Sequence, residues 1–282
     1  MAYTKSFADL VTAYDFAQHF FEGNVSAATD INSALFAVED GVATYSDALT
    51  VARRFGQCLS DAILKTLSGQ SFAGKTFSEA ELRSMVTEFL PDAFRKIHGL
   101  VTAITSVAQD NLNKQAGIGL KSVTPEFRAD KVDDLAAKFN SYETLDESEW
   151  VLDEPVKNAS QSIVADAVKA NAEFQYKSGL TPIIKRTMNG SCCDWCRNLA
   201  GTYKYPNEVP KDVYRRHSYC NCLVEYKGTS GDTNDVHSGR QGELTRRDEK
   251  NNRWRRGFNK DGAAKTAGGV IGQALVDLLD EK

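Results

Sequence analysis

Most of the cysteines in this chain lie in two short segments, near residues 190 and 220. Cys193 and Cys196 form a C-x2-C turn, and His217 comes shortly before Cys220 and Cys222. A C-x2-C turn can direct two sulfur atoms at one cation, and a returning pair of Cys or His ligands completes a tetrahedron. Thiolate and imidazole ligands favour zinc, and four protein ligands leave no open position for a reacting water molecule. The spacing therefore predicts a structural zinc site.

More ligands are present than one zinc ion can use. The C-x2-C pair supplies the two strongest candidates, and His217 with Cys220 is the preferred second pair because a three-residue step suits a turn. Cys222 can replace either member of that second pair, and Cys192 is expected to face away as a spare thiol. Disulfide bonds and a redox C-x2-C motif are the alternatives. A redox motif belongs in a β-α-β setting, which the sequence does not show, and it leaves the returning ligands unexplained.

A zinc-dependent nuclease, or another enzyme acting on nucleic acid, is the alternative function. Catalytic zinc keeps a position open for water beside a general base. The chain contains neither H-E-x-x-H nor an H-x-E with P-C-x2-C, and the neighbouring Asp194 and Asp212 are expected to be surface residues. Cys58 and His98 fall in helical segments and are interpreted as core or surface residues rather than ligands. We therefore expect no catalytic residues and no enzymatic activity.

Residues 69–76, GQSFAGKT, match the phosphate-loop pattern G-x-x-x-x-G-K-T. That loop binds phosphate where a buried strand delivers it onto the N-terminus of a helix. Here the preceding residues, SDAILKTL, have helical spacing, and Ser78 is predicted to start the next helix beyond Lys75. We predict a turn between helices rather than a nucleotide site.

Apolar residues recur at spacings of three and four over residues 1–115, which predicts a helical bundle able to dock on partner subunits. One long helix is predicted over 45–67. Another begins at Ser78, where Glu81 completes a capping box, and Pro91 is expected to interrupt it.

The remainder of the chain divides into three predicted parts. Residues 116–180 hold a linker and further helices, with the acidic run LDESEWVLDEP interpreted as solvated linker and helical spacing restored from about 156 to 177. Residues 181–227 form a Cys/His zinc-knuckle module, in which IIKRTM and CLVEY are short strands. Residues 228–282 form a basic, partly flexible tail with a terminal amphipathic helix. The predicted fold class is α+β, mainly α-helical with a small β-containing zinc-knuckle domain and a basic tail.

The tail concentrates positive charge in a chain that is otherwise mildly acidic. The whole protein has a net charge of −4, whereas residues 238–265 contain nine basic and four acidic side chains, a net of +5. The candidate nucleic-acid-binding residues are Arg246, Arg247, Arg253, Trp254, Arg255 and Arg256. They can contact packaged DNA through phosphates and stacking, or they can form an arm that binds an acidic protein surface.

The cysteine-rich region resembles the C-terminal motif of phage minor head (minor capsid) proteins, the Mu F-like group. That motif has C-x2-C, then L-x-G with a nearby aromatic residue, a proline-containing loop, and H-P-x-C-R-C before a strand. The matching positions are Cys193, Cys196, Leu199, Gly201, Tyr203, His217, Cys220 and Cys222. Ser218 and Asn221 stand where the family usually has proline and arginine. The resemblance covers about residues 190–226.

The resemblance implies a structural protein, present in a few copies near the portal vertex, that acts in head assembly, DNA packaging or DNA delivery. Its expected partners are the portal and/or major capsid protein, and packaged DNA through the basic tail. The sequence has no apolar leader and no long apolar stretch, so we expect a protein without a membrane segment, made in the bacterial host cytoplasm and located in the virion. In a reducing cytoplasm, clustered thiols are more often metal ligands than disulfides.

Overall fold

The computed structural model describes residues 10–68, 74–190 and 193–229, which form helices and a small antiparallel sheet. The helices are α1 (Ala13–Ser26), α2 (Thr29–Glu39), α3 (Tyr45–Leu67), α4 (Glu79–Gln115), α5 (Ala129–Asn140), α6 (Leu145–Ser148), α7 (Glu154–Lys177) and α8 (Asp194–Leu199), with a 3₁₀ turn at Glu149–Leu152. The strands are β1 (Pro182–Thr187), β2 (Gly201–Lys204) and β3 (Leu223–Thr229). A mainly helical chain with a little β structure is thus confirmed. Among the described helices, none is long and apolar enough to cross a lipid bilayer.

Capping side chains set where the long helices begin. The Ser78 hydroxyl accepts a hydrogen bond from the backbone N–H of Glu81, and the Glu81 carboxylate accepts one from the Ser78 N–H. This capping box starts α4 where the sequence predicts it, and Thr12 and Thr44 start α1 and α3 in the same way.

The segment that matches the phosphate-loop pattern connects two helices. α3 precedes it where a phosphate loop needs a strand, and α4 begins at Glu79, beyond Lys75. The Lys75 ammonium donates a hydrogen bond to the backbone carbonyl of Leu10, so a protein group already engages this cation. Residues 69–73 lie outside the described part of the chain. The prediction that this segment joins two helices is therefore confirmed.

α4 passes through Pro91 without a break, so the predicted interruption is wrong. A proline inside a helix removes one backbone hydrogen bond and costs about 3 kcal/mol. The buried side chains on either side, including Leu90, Phe94 and Ile97, offset that cost, because each contributes roughly 1.5–3 kcal/mol when fully buried. Packing against the bundle keeps this 37-residue helix continuous.

The acidic run between α5 and α7 is folded against the bundle, so the predicted solvated linker is wrong. Val151 and Leu152 are 1% and 0% exposed, and they hold α6 and the 3₁₀ turn in place. Lys157 forms ion pairs with Asp153 at 2.6 Å and with Glu154 at 3.1 Å. Val151 and Leu152 can be buried because the acidic side chains of this run either form ion pairs with Lys157 or remain in contact with water.

α3 and α7 approach each other closely at Gly56. A β-carbon at this position would lie 2.8 Å from the α-carbon of Lys157, so only glycine allows the two backbones to come this near. Phe55, Leu59 and Ile63 of α3 are buried in the core that α1, α4 and α7 complete. β3 also lies against α3 and α7, so this helix pair forms the surface on which the sheet packs.

The two predicted strands are confirmed, and the short strand β2, which the sequence pattern did not indicate, joins them. The order is β2-β1-β3, with β1 antiparallel to each neighbour. Alternate residues of β1 are buried, namely Pro182, Ile184 and Arg186. Tyr226 of β3 donates a hydrogen bond to the side chain of Gln175 in α7, which ties the sheet to the helices.

Candidate metal centre

The connections on either side of β2 carry a group of side chains that we name the Cys/His cluster: Cys193, Cys196, His217, Cys220 and Cys222. Cys193 is the N-cap of α8, and Cys196 lies within that short helix. The Cys220 N–H donates to the carbonyl of His217 at 3.1 Å, closing a turn in which Tyr219 has a φ of 62°. This turn carries the chain from the imidazole back to the next thiol. The antiparallel sheet brings the two connections side by side.

A contact with the backbone orients the imidazole ring of His217. Its Nε2 lies 3.3 Å from the Cys193 Sγ and 3.0 Å from the Cys196 Sγ. Its Nδ1 lies 2.6 Å from the carbonyl oxygen of Ser218, so we assign the proton to Nδ1, which donates it, and the lone pair to Nε2. Metal-binding histidines are commonly oriented by such a hydrogen bond from the other ring nitrogen.

Cys196, Cys220 and Cys222 form a second group beside the first. In each group the ligand atoms lie within 4.8 Å of one another, and Cys196 belongs to both. The Cys196 and Cys220 sulfur atoms are 3.7 Å apart. Zn–S bonds of about 2.3 Å in a tetrahedron place two sulfurs about 3.8 Å apart, so the spacing fits zinc. These Cys and His side chains could therefore hold a metal ion next to Cys196.

The cysteines described in this region form no disulfide bonds. The separation of 3.7 Å between Cys196 and Cys220 is far longer than the S–S bond of about 2.05 Å in a disulfide. The sheet is antiparallel throughout, so the described residues also lack the β-α-β setting of a redox C-x2-C motif. Neither alternative to a metal site gains support from the geometry.

The thiols of the second group differ in acidity. Burial raises the pKa of Cys196 and of Cys222, so without a cation both thiols tend to keep their protons. Burial has the same effect at Cys220, but a hydrogen bond from the Cys222 backbone and the charge of Arg216 outweigh it and lower the Cys220 pKa. A zinc ion binds the thiolate form and would supply the positive charge that three adjacent thiolates need.

Arg186 of β1 connects the two sides of the cluster. Its side chain is only 1% exposed, and its Nη2 lies 3.8 Å from the Cys196 sulfur and 3.7 Å from the Cys220 sulfur. Its Nη1 donates hydrogen bonds to the carbonyl oxygens of Val213 and Arg215. Within the described ranges, no carboxylate forms an ion pair with this guanidinium. A buried cation requires a nearby anion, and thiolate sulfurs are the groups positioned to provide it.

Arg216 adds a second guanidinium beside the sulfur atoms. Its Nη1 donates to the side-chain oxygen of Gln161 at 3.2 Å and to the carbonyl oxygen of Cys220 at 3.3 Å. Burial lowers the pKa of Arg216 to about 10, and the negative charge of the nearby Cys220 opposes that shift. Both guanidinium groups thus favour the negatively charged thiolate form of the nearby cysteine side chains.

Sequence reasoning missed the role of Arg186, although a signal was present. β1 alternates buried and partly exposed residues, and Arg186 follows the fully buried Ile184 at the strand period of two. An arginine on the buried face of a strand indicates a buried anion. Trp195, between the two cysteines of the C-x2-C turn, stacks on this guanidinium at 5.2 Å and packs edge-on against His217 at 5.5 Å.

The L-x-G-x-Y residues that follow the C-x2-C turn form one packed unit. The Tyr203 hydroxyl donates to the carbonyl oxygen of Leu199 at 3.0 Å. A β-carbon at Gly201 would lie 2.8 Å from that hydroxyl oxygen, so the tyrosine can fold back only over glycine. These three residues therefore shape the exit of α8 into β2.

The carboxylates nearest to the cluster in sequence are engaged elsewhere. Asp194 pairs with Arg197 at 3.0 Å and its side chain is 89% exposed, while Asp212 pairs with Arg215 at 3.2 Å. No carboxylate belongs to the two groups of candidate ligands found among the described residues. Both aspartates are thus surface residues, as predicted.

The other candidate residues lie apart from the cluster or outside the described part of the chain. Cys58 is buried in the helical core, where burial raises the pKa of its thiol to about 11, and His98 packs edge-on against Phe127. Cys58 is thus a core residue and His98 is half-buried, and neither belongs to the groups of candidate ligands among the described residues, as predicted. Cys192 lies outside the described residues, as do the nucleic-acid candidates Arg246, Arg247, Arg253, Trp254, Arg255 and Arg256.

No protein-family model, curated protein or solved structure matches this chain.

Proposed function

We propose that the Cys/His cluster binds one zinc ion that has a structural role. The observation that carries this proposal is the composition of the buried interior between β1 and β3. Among the described residues of that segment, only Cys196, Val213, Cys220 and Cys222 are buried. Three of the four are candidate ligands, so apolar burial contributes little to the stability of these connections. In small zinc modules the free energy of metal binding is folding free energy, about 10–16 kcal/mol in peptides.

We further propose that the chain is a phage minor head protein of the Mu F-like type. The cysteine motif supports it, and so does the packing of Tyr203 over Gly201, which gives a structural reason for a glycine with an aromatic residue shortly after it. The helical part offers exposed apolar side chains for docking, such as Phe36 at 65% and Val42 at 63% exposure. The proposed partners are the portal and/or major capsid protein, with packaged DNA on the basic tail. The proposed location is the virion.

A zinc-dependent nuclease is the less favoured function. Zinc in such an enzyme needs an open position and a general base close by. The cluster supplies at least four soft ligands, and Asp194 and Asp212 are paired with arginines on the surface. We therefore propose assembly rather than catalysis.

Metal analysis tests the zinc proposal. We expect the purified protein to contain one zinc ion per chain, and we expect a strong chelator to remove it with loss of order in the connections around β2. Zn²⁺ should restore that order and Mg²⁺, which prefers oxygen ligands, should not. Substitution by Co²⁺ should give the visible absorption of tetrahedral thiolate coordination. A protein that holds no metal as isolated, and whose structure is unchanged by the chelator, would contradict the proposal.

Particle analysis tests the head-protein proposal separately. We expect mass spectrometry of purified phage particles from the source culture to find this polypeptide at a few copies per particle, in heads that also contain portal protein. Heads assembled without it should be altered in assembly, packaging or delivery. If the polypeptide is missing from particles and zinc-loaded protein cleaves DNA, with loss of cleavage in His217→Ala, the nuclease assignment replaces this one.

A further inference from the structure

A cleft of about 360 Å³ lies between α3 and the connections that carry the Cys/His cluster. Its volume is at the lower end of the range of roughly 300–1,000 Å³ typical of small-molecule sites. The lining side chains that matter for its chemistry are Arg53, Arg54, Gln57, Gln161, Asn189 and Asn221. Helices α3 and α7 contribute to this lining, as does Asn221, which lies between two candidate metal ligands.

Arg53 provides the positive charge of this cleft. It donates a hydrogen bond to the neutral side-chain oxygen of Asn221, and no carboxylate within the described ranges pairs with it. A guanidinium has five N–H donors, so one bond to an amide oxygen leaves most of them for a ligand. Arg54 is 3.5 Å from Asp30, the single carboxylate among the described residues that line the cleft, and the two side chains are 43% and 42% exposed. The cleft therefore has a net positive charge.

The remaining polar lining consists of the Thr50 hydroxyl and amide side chains, and the described residues that line the cleft include no aromatic ring. A nucleobase could not be recognised here by stacking. Two arginines that line one cleft together with neutral hydroxyl and amide groups instead suit a compact anion with several acceptor oxygens, and arginine pairs with phosphate through two parallel hydrogen bonds. We propose that this cleft binds a phosphate group, held by Arg53 and Arg54. The phosphate belongs either to a small molecule, such as a nucleotide, or to a nucleic-acid backbone.

The site links the helices to the Cys/His cluster. Arg53 lies 168 residues before Asn221, and the hydrogen bond between their side chains spans the cleft. Asn221 lies between Cys220 and Cys222, so the connection that carries these candidate metal ligands also lines the phosphate site. Phosphate binding by Arg53 and Arg54 does not depend on which metal, if any, the Cys/His cluster binds.

Titration calorimetry on the full chain tests the proposal, with inorganic phosphate, thymidine monophosphate and a short oligothymidylate as separate probes. The protein is first freed of excess zinc, which would precipitate phosphate. We expect saturable binding of at least one probe, weakened about tenfold or more in Arg53→Gln, a loss that corresponds to about one charge-assisted hydrogen bond. The matched control is Arg95→Gln, because Arg95 is also an exposed helix arginine but pairs with Asp92.

Binding of a probe counts as binding in the cleft only if Arg53→Gln weakens it, since the basic tail can also attract an oligonucleotide. Tighter binding of the oligothymidylate than of thymidine monophosphate, with both weakened in Arg53→Gln, identifies a nucleic-acid backbone as the source. Equal binding of the two identifies a small-molecule phosphate. The proposal is overturned if no probe binds, if Arg53→Gln and Arg95→Gln bind as the unchanged protein does, or if acetate competes as well as phosphate.

Discussion

Cys196→Ser is expected to abolish tight zinc binding and to unfold the segment between residues 193 and 222 while the helical bundle stays folded. Cys196 is the residue that the two groups of candidate ligands among the described residues share, so without it neither group keeps three ligand atoms within 4.8 Å of one another. The metal contributes about 10–16 kcal/mol in small zinc modules, against about 1 kcal/mol for an ordinary hydrogen bond. Few buried apolar side chains remain in this segment to compensate for its loss.

Elemental analysis and hydrogen exchange resolved along the chain measure the two halves of this prediction. Exchange should become fast from 193 to 222 in Cys196→Ser and stay slow in α3 and α4. The matched control is Cys58→Ala, which removes a buried thiol from the helical core and should keep the full zinc content. Comparison of Cys220→Ser with Cys222→Ser then identifies the remaining ligand. A zinc content of one per chain in Cys196→Ser would refute the assignment of this residue.

Arg186→Met is expected to lower the stability of the sheet region and to weaken zinc binding by about 10–100-fold, the usual effect of removing a group that supports metal ligands. The substitution preserves much of the side-chain volume, but it leaves the carbonyl oxygens of Val213 and Arg215 without their donor. It also removes the N–H groups that lie 3.8 and 3.7 Å from the Cys196 and Cys220 sulfurs. Removing one partner from a buried charge pair costs about 3–5 kcal/mol.

Zinc competition with a chromophoric chelator and unfolding by urea measure these two effects. Lys185→Met is the matched control, because this neighbour in β1 is only partly buried and its alternate position directs it to the other face of the sheet. Arg186→Lys should have a zinc affinity and a stability between those of Arg186→Met and Lys185→Met, since it keeps the charge but loses the planar arrangement of N–H donors. Equal zinc affinity in Arg186→Met and Lys185→Met would show that Arg186 has no part in the metal centre.

The sequence alone determined those features that depend on neighbours along the chain. The apolar spacing of three and four residues predicts α3 and the helical run of α7, and the Ser78 capping box predicts the start of α4, because helix signals lie within a few residues of one another. The Cys/His cluster is predictable for a related reason: the affinity of sulfur and imidazole for zinc belongs to the residue type, and a C-x2-C turn is local.

Tertiary structure alone decided the features that depend on distant residues. Val151 and Leu152 lie in an acidic run, and their burial required a surface on the bundle to receive them. The same packing keeps α4 continuous through Pro91, because burial on both sides offsets the lost hydrogen bond. Arg186 reaches the sulfur atoms, and Arg53 reaches Asn221, only after the sheet has packed on the helices. Burial and charge pairing are properties of the folded surroundings, so no short stretch of sequence contains them.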